Sequence, residues 1–183
     1  MNSLQNIKIA FLVTDGFEQV ELTGPKDAVE KQGAKTMIVS LDEGEVKGWD
    51  ETNWGDKFKV DITLDQTSAE SFDGLVLPGG QINPDLLRVE DKAIQFIKDF
   101  ANSHKPIAAI CHGPWTLIEA GLVEGKKMTS FPSIKTDLIN AGANWVDEEV
   151  VEDGNIITSR NPDDIPAFNQ AFIKALEEVT ANH

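Results

Sequence analysis

The sequence predicts an α/β fold, a mostly parallel sheet sandwiched by helices, and three observations carry that prediction. Short apolar runs alternate with amphipathic stretches along the whole chain. Three of the apolar runs end in a sharp polar or glycine-bearing turn, two of which lead straight into a helical pattern. At 183 residues and 40% hydrophobic content, the chain has the size and apolar mass of one compact domain.

The elements read in order as follows. Residues 7–13 (Ile-Lys-Ile-Ala-Phe-Leu-Val) form the first strand, and the turn Thr14-Asp15-Gly16 leads to a helix over about 18–32 that stops at Gly33. Residues 36–40 are the second strand. The segment 41–60, rich in Gly, Asp, Glu and Lys and carrying Trp49 and Trp54, reads as a loop or irregular hairpin. Residues 74–77 are a buried strand ending in Pro78-Gly79-Gly80. A helix over 91–103 follows, with Ala93, Ile94, Phe96, Ile97 and Phe100 at helical spacing. Then come a strand at 106–110, helices at 114–120 and 134–140, strand-like runs at 144–151 and 155–159, and a last helix at 164–179. No repeat, low-complexity tract or Pro/Ser linker divides the chain, so residues 1–183 are expected to form a single domain. The arrangement is flavodoxin-like and doubly wound, and such sheets place their sites at the carboxyl ends of strands. That marks the turns after Val13, Leu77 and Ile110.

Composition excludes several functions. Net charge is −15, from 31 acids against 16 bases, which repels nucleic acid and anionic membranes. No apolar run approaches the ~20 residues of a membrane helix, and no signal-peptide pattern precedes the first strand. One cysteine allows no intrachain disulfide and fits a reducing, cytoplasmic compartment. Three histidines and one cysteine offer no metal-ligand spacing. No GxGxxG or Walker loop follows the first strand, and Asp15 stands where a flavin phosphate would sit, so no cofactor is expected.

The third marked turn carries the chemistry. In Ala108-Ala109-Ile110-Cys111-His112-Gly113-Pro114 a strand runs into a cysteine and a helix begins within three residues. Ala109 and Gly113 are small, as a sharp strand-to-helix turn requires, which is the logic of a nucleophile elbow with sulfur in place of oxygen. Pro114 suits a first helical turn. Free N–H groups at that helix start favour thiolate and are expected to lower the Cys111 pKa. An inert buried thiol is the commoner state of a lone cysteine, but these turn residues argue for function. His112 is the best available base, since His104 and the terminal His183 read as solvated bystanders. Gly79 and Gly80, with an N–H from the elbow at Gly113, are candidates for an oxyanion hole and substrate contact.

Four stretches together resemble the PfpI family of the ThiJ/PfpI superfamily. They are Phe17-Glu18-Gln19-Val20-Glu21-Leu22, residues 75–80 ending in Pro-Gly-Gly, residues 109–114 around Cys111-His112, and Thr158-Ser159-Arg160-Asn161-Pro162-Asp163-Asp164. The resemblance implies a flavodoxin-like fold, assembly into dimers or larger rings, and activity as an intracellular cysteine peptidase, a deglycase or glyoxalase-like enzyme, or a stress-protective protein. It implies Cys111 as nucleophile, His112 as its base and Glu21 as hydrogen-bond partner of the sulfur, with Glu18 instead of or beside Glu21. It also implies that an acid after the Gly-Gly turn reaches the histidine of a neighbouring subunit, here Asp85 where the family has glutamate in a loop one residue shorter. On the residues themselves, Glu21 shares a helical face with Glu18 and lies at the same sheet edge as Cys111. Protonated, it would donate to the thiolate; ionised, it would raise the thiol pKa.

Glutamine amidotransferases share fold and elbow but need a later His-x-Glu, and only His112 and His183 follow Cys111. The enzyme reading is attack of Cys111 on a carbonyl, in a peptide, a small dicarbonyl or its adduct on protein. The alternative is a redox-sensing or chaperone-like protein with an oxidisable Cys111. A structural domain with a vestigial site is the weakest reading.

Overall fold

The computed structural model describes residues 2–181. In chain order its elements are strands β1 (Lys8–Leu12) and β2 (Phe17–Glu18), helix α1 (Gln19–Lys31), and strands β3 (Lys35–Ser40), β4 (Glu45–Asp50), β5 (Asn53–Lys59) and β6 (Ile62–Thr63). These are followed by β7 (Gly74–Leu77), α2 (Ile82–Leu87), α3 (Asp91–Asn102), β8 (Ile107–Ile110), α4 (Pro114–Glu119) and β9 (Lys127–Met128). The chain closes with α5 (Lys135–Asn140), β10 (Asn144–Trp145), β11 (Val151–Asp153), β12 (Ile156–Ser159) and α6 (Ile165–Ala181).

Seven strands form the main sheet in the order β11-β12-β8-β7-β1-β3-β6. All neighbours are parallel except β11, which runs antiparallel along β12. Every residue of β7, β8 and β12 is buried, as expected of strands covered on both faces. Alternate residues feed two cores. Ile9, Phe11, Val76, Ala108, Ile110 and Ile157 pack with α1 and α6 through Leu22, Val29, Phe168 and Phe172. Ala10, Leu12, Leu75, Leu77, Ile107 and Ala109 pack with α3, α4 and α5 through Phe96, Phe100, Leu117 and Leu138. This is the doubly wound, flavodoxin-like sandwich expected from the sequence. β1 lies between β3 and β7, so the strand order reverses there and the turns after β1 and β7 flank the switch point.

The segment 41–60 is a hairpin. β4 and β5 pair antiparallel, and β4 adds to β2 to make a separate three-stranded sheet. Trp49 and Trp54 face each other across it, ring centroids 5.3 Å apart and edge-on. The helix expected over about 18–32 runs from Gln19 to Lys31, leaving Glu18 in β2. The strand-like run 144–151 is interrupted: only Asn144–Trp145 and, after a break, Val151–Asp153 are strand. α2 was not legible, because Pro84 sits inside its six residues directly after the Gly79-Gly80 turn. Among the described residues no helix is long and apolar enough to cross a membrane.

Candidate active site

The turns after β1, β7 and β8 meet at one edge of the sheet. Asn83, fully buried, joins two of them: its Oδ1 accepts from Thr14 N at 2.8 Å, and its Nδ2 donates to Pro78 O and Gly79 O at 3.0 and 3.2 Å. Gly80 has φ +75°, and a Cβ there would fall 2.7 Å from Glu18 N and onto Gly16 O. Only glycine allows that approach.

Cys111 follows β8 with φ +63°, a left-handed conformation rare outside glycine. Its backbone is pinned from two sides: its N–H donates to Ser159 O at 3.1 Å, and its carbonyl accepts from Phe131 N at 2.9 Å. The twist is possible because Gly113 lies where a Cβ would be 2.5 Å from Leu77 O and 2.9 Å from Ile110 O. Cys111 is 7% exposed, and its sulfur lies 3.2 Å from His112 Nδ1. Adjacent side chains ordinarily diverge; the left-handed turn brings these two together.

Glu21, in the first turn of α1, is fully buried. Its Oε1 accepts from Gly79 N at 2.8 Å, while Oε2 has no hydrogen-bond partner among the described residues. Burial pushes its pKa up from 4.5 to about 8, against the Gly79 hydrogen bond; the Glu18 charge adds to the rise, and the Cys111 thiol works against it. The carboxyl is therefore mainly protonated at neutral pH. Burial also holds the Cys111 thiol well above its ordinary value, with the Glu21 charge adding to it and the backbone N–H groups of Gly80 and His112 opposing. Burial lowers the His112 pKa, so its imidazole is neutral at pH 7. The resting site is a set of neutral groups: a thiol, a carboxylic acid and an imidazole.

The chain matches the model of the DJ-1/PfpI family over residues 7–175. It belongs to that family. Among its relatives is "Putative cysteine protease YraA" of Bacillus subtilis, 47% identical over 171 residues, which cover 93% of this chain and 98% of the relative. "Deglycase PH1704" of Pyrococcus horikoshii is 43% identical over 171 residues, covering 93% of this chain and 100% of the relative. A solved two-domain protein of Anabaena variabilis, containing DJ-1/ThiJ/PfpI-like and ferritin-like domains, superposes with a TM-score of 0.88 at 34% identity. That match covers 93% of this chain and 48% of the two-domain protein, so the present chain spans about half of it.

Against this DJ-1/PfpI framework, the sequence expectations fare unevenly. Cys111, His112 and Glu21 come together as expected, but the thiol pKa is raised where a lowered one was expected, because burial and Glu21 outweigh the two N–H groups. Gly79 and Gly113 are not free donors for an oxyanion: their N–H groups are taken by Glu21 Oε1 and by Ile110 O at 2.8 and 2.9 Å. Their role is to make room, since a Cβ on Gly79 would lie 2.7 Å from Cys111 Cβ, from Glu21 Oε1 and from Ile110 O. The N–H groups that bear on the sulfur belong to Gly80 and His112. Glu18 stands at the rim rather than on the sulfur; its Oε1 accepts from Glu51 N of the hairpin at 3.1 Å, and burial raises its pKa. Asp85 is exposed on α2, while His112 Nε2 meets Ser133 Oγ at 3.1 Å. Phe131 stacks on the His112 ring, and Trp115 meets its edge. Ser133 and Phe131 were missed because they come from another segment with no motif around them, and Trp115 because nothing in the turn sequence shows that the first turn of α4 aims its ring at His112. His104 is exposed, and His183 lies outside the described residues.

Proposed function

We propose that the protein is a cysteine-nucleophile enzyme in which Cys111 adds to the carbonyl of a small dicarbonyl such as glyoxal, or of its adduct on a protein side chain. One observation carries this reading: the sulfur sits on a forced left-handed turn, 3.2 Å from a neutral imidazole nitrogen and beside the backbone N–H groups of Gly80 and His112. His112 Nδ1 accepts the thiol proton as sulfur attacks, and the two N–H groups stabilise the oxyanion that forms. Glu21, protonated, leaves no negative charge to repel the developing thiolate. An oxidisable sensor has no need of a base and oxyanion donors in this geometry.

The narrow exposure of Cys111 favours a small carbonyl, or one at the tip of a long side chain, over a folded peptide backbone. Several relatives bear the name deglycase and one that of a cysteine protease, which supports hydrolytic chemistry at this thiol. The proposal includes a cell-interior location, where a lone thiol stays reduced. It also includes a homo-oligomer, supported by the exposed apolar residues Ile82, Leu86 and Val89 beside Asp85, whose carboxylate would act across the subunit boundary. A monomer mass by light scattering would remove that part.

The test is glyoxal consumption by wild type and Cys111→Ser. Loss of at least a hundredfold in the variant is expected. Equal consumption by both would overturn the reading, and no consumption by wild type, with peptide cleavage or sulfinate formation at Cys111 instead, would replace it.

A further inference from the structure

The small sheet of β2, β4 and β5 carries different side chains on its two faces. The inner face belongs to the α1 side of the core: Phe17 and Val46 are buried there, and the Phe17 and Phe58 rings lie 5.6 Å apart. A Cβ on Gly48 would meet the Phe17 ring at 3.4 Å, so Gly48 also faces inward. Strand side chains alternate, so Glu18 and Trp49, the next residues along β2 and β4, point outward. Glu18 pairs with Trp49 across β2 and β4, and Trp49 with Trp54 across β4 and β5. A carboxylate and two indoles therefore form one row on the outer face, with strands about 4.8 Å apart.

The row starts at the nucleophile. Gly80, whose N–H bears on the sulfur, packs directly against Glu18 N. Glu18 is bonded only to a backbone N–H, that of Glu51, and no lysine or arginine pairs with it among the described residues. Asp50 and Glu51 lie close enough for their charges to reach it. At the far end of the row a cation is already seated: Lys47 Nζ lies 5.4 Å from the centroid of the Trp54 ring. That is the distance at which an indole face attracts an ammonium.

We propose that Glu18 and Trp49 are specificity-determining residues that favour substrates carrying a positive charge beside the reacting carbonyl, as in a dicarbonyl adduct on an arginine or lysine side chain. The carbonyl meets Cys111, and the cation lies between the Glu18 carboxylate and the Trp49 ring. This rests on the carbonyl-addition reading above and adds a charge preference to it. A neutral dicarbonyl makes neither contact, and an anionic one meets Glu18 with like charge. The charges around the row decide the occupant. An apolar partner would leave an acid without a counter-charge under it, whereas a guanidinium or ammonium satisfies acid and aromatic face together.

Cys111 is the only cysteine, so any thiol reagent reports on this site. The experiment compares three methanethiosulfonates on the full chain: a cationic ethyltrimethylammonium, an anionic ethylsulfonate and the neutral methyl reagent. In each, the sulfur forms a disulfide and methanesulfinate leaves; the rate is read by intact mass. Wild type is expected to favour the cationic over the anionic reagent by roughly tenfold or more. Trp49→Leu and Glu18→Gln should each lower the cationic-to-neutral ratio roughly two- to fivefold, and Trp49→Phe should keep most of it. The neutral reagent is the reference, so a general change in thiol reactivity cancels in the ratio. Glu70→Gln, which removes the same charge from the exposed 3-10 turn at the other end of the sheet, should leave the ratio unchanged. Equal wild-type rates for all three reagents overturn the proposal. So does a ratio that survives Trp49→Leu, or one that falls as far in Glu70→Gln, since the preference would then belong to the net charge of −15. The reagents need no turnover, so a wild type inert toward glyoxal but selective for the cation would sink the substrate reading and leave this one standing.

Discussion

The turn at Cys111 and the β4–β5 hairpin lie at the same edge of the sheet and are built on opposite principles. At the turn, the strand is buried on both faces, the backbone groups of Cys111 and Gly113 are bonded, and neighbouring atoms occupy the space a Cβ would need at Gly79 and Gly113. The hairpin is mostly exposed and is tied down by polar contacts to the β1 turn and the β2–α1 junction. Gly16 N donates to Lys47 O, Asp15 accepts from Lys47 N, Glu18 from Glu51 N and Gln19 from Asp56 N, at 2.8 to 3.1 Å. Steric exclusion tolerates no substitution; a set of hydrogen bonds, each worth about 1 kcal/mol net, tolerates the loss of one.

The sharpest way to break this contrast is Gly113→Ala. The added methyl meets two carbonyl oxygens of the backbone, at 2.5 and 2.9 Å, and neither can swing away. We expect a loss on the order of 3 kcal/mol or more, read as a Tm drop of roughly 10 °C. A variant with unchanged Tm would show that the elbow is softer than its packing implies.

Glu21→Gln tests the buried acid between the two regions. An acid whose folded pKa is raised holds its proton more tightly in the native state. Its contribution is therefore complete below the unfolded value of 4.5, is lost as pH rises toward about 8, and changes no further above that. That interval corresponds to roughly 5 kcal/mol at most. Wild-type stability measured by denaturant should fall across this window, and the glutamine variant should lack the fall. Activity should share the limb: ionised Glu21 opposes a thiolate, so wild type should lose rate above about pH 8 and Glu21→Gln should not. Identical profiles for the two proteins would assign the limb elsewhere.

The smallest effect is expected at the hairpin. Gln19→Ala removes two contacts to Asp56, from its N–H and to its Oδ2. Global stability should change by about 1 kcal/mol or less, while amide exchange over residues 45–59 quickens. A Tm change as large as that of Gly113→Ala would erase the distinction.

The same contrast decides what could be read from the sequence. β1, β7 and β8 announce themselves because burial on both faces demands unbroken apolar runs, and the elbow because close backbones demand Ala109 and Gly113. The hairpin left only an ambiguous polar stretch, since its strands bury few side chains and its register depends on Asp15, Glu18 and Gln19 far away in sequence. The fate of the glycine N–H groups was hidden for a related reason. Gly79 looks like a donor in sequence, and only the placement of Glu21 against it shows that the donor is spent. Ser133 was beyond reach because nothing local marks a serine that serves a histidine 21 residues earlier.

Asn83 has a consequence for where a ligand meets this fold. In a sheet of this strand order the gap between β1 and β7 is the natural opening, formed because the chain departs in opposite directions on its two sides. Here the buried amide of Asn83 laces that gap shut, bonding the β1 turn on one side and the β7 turn on the other. Gly80 presses against Gly16 O and Glu18 N across the same seam. The doorway the architecture provides is bricked up with the protein's own atoms, and the usable entrance is displaced one strand sideways, onto the sulfur at the end of β8.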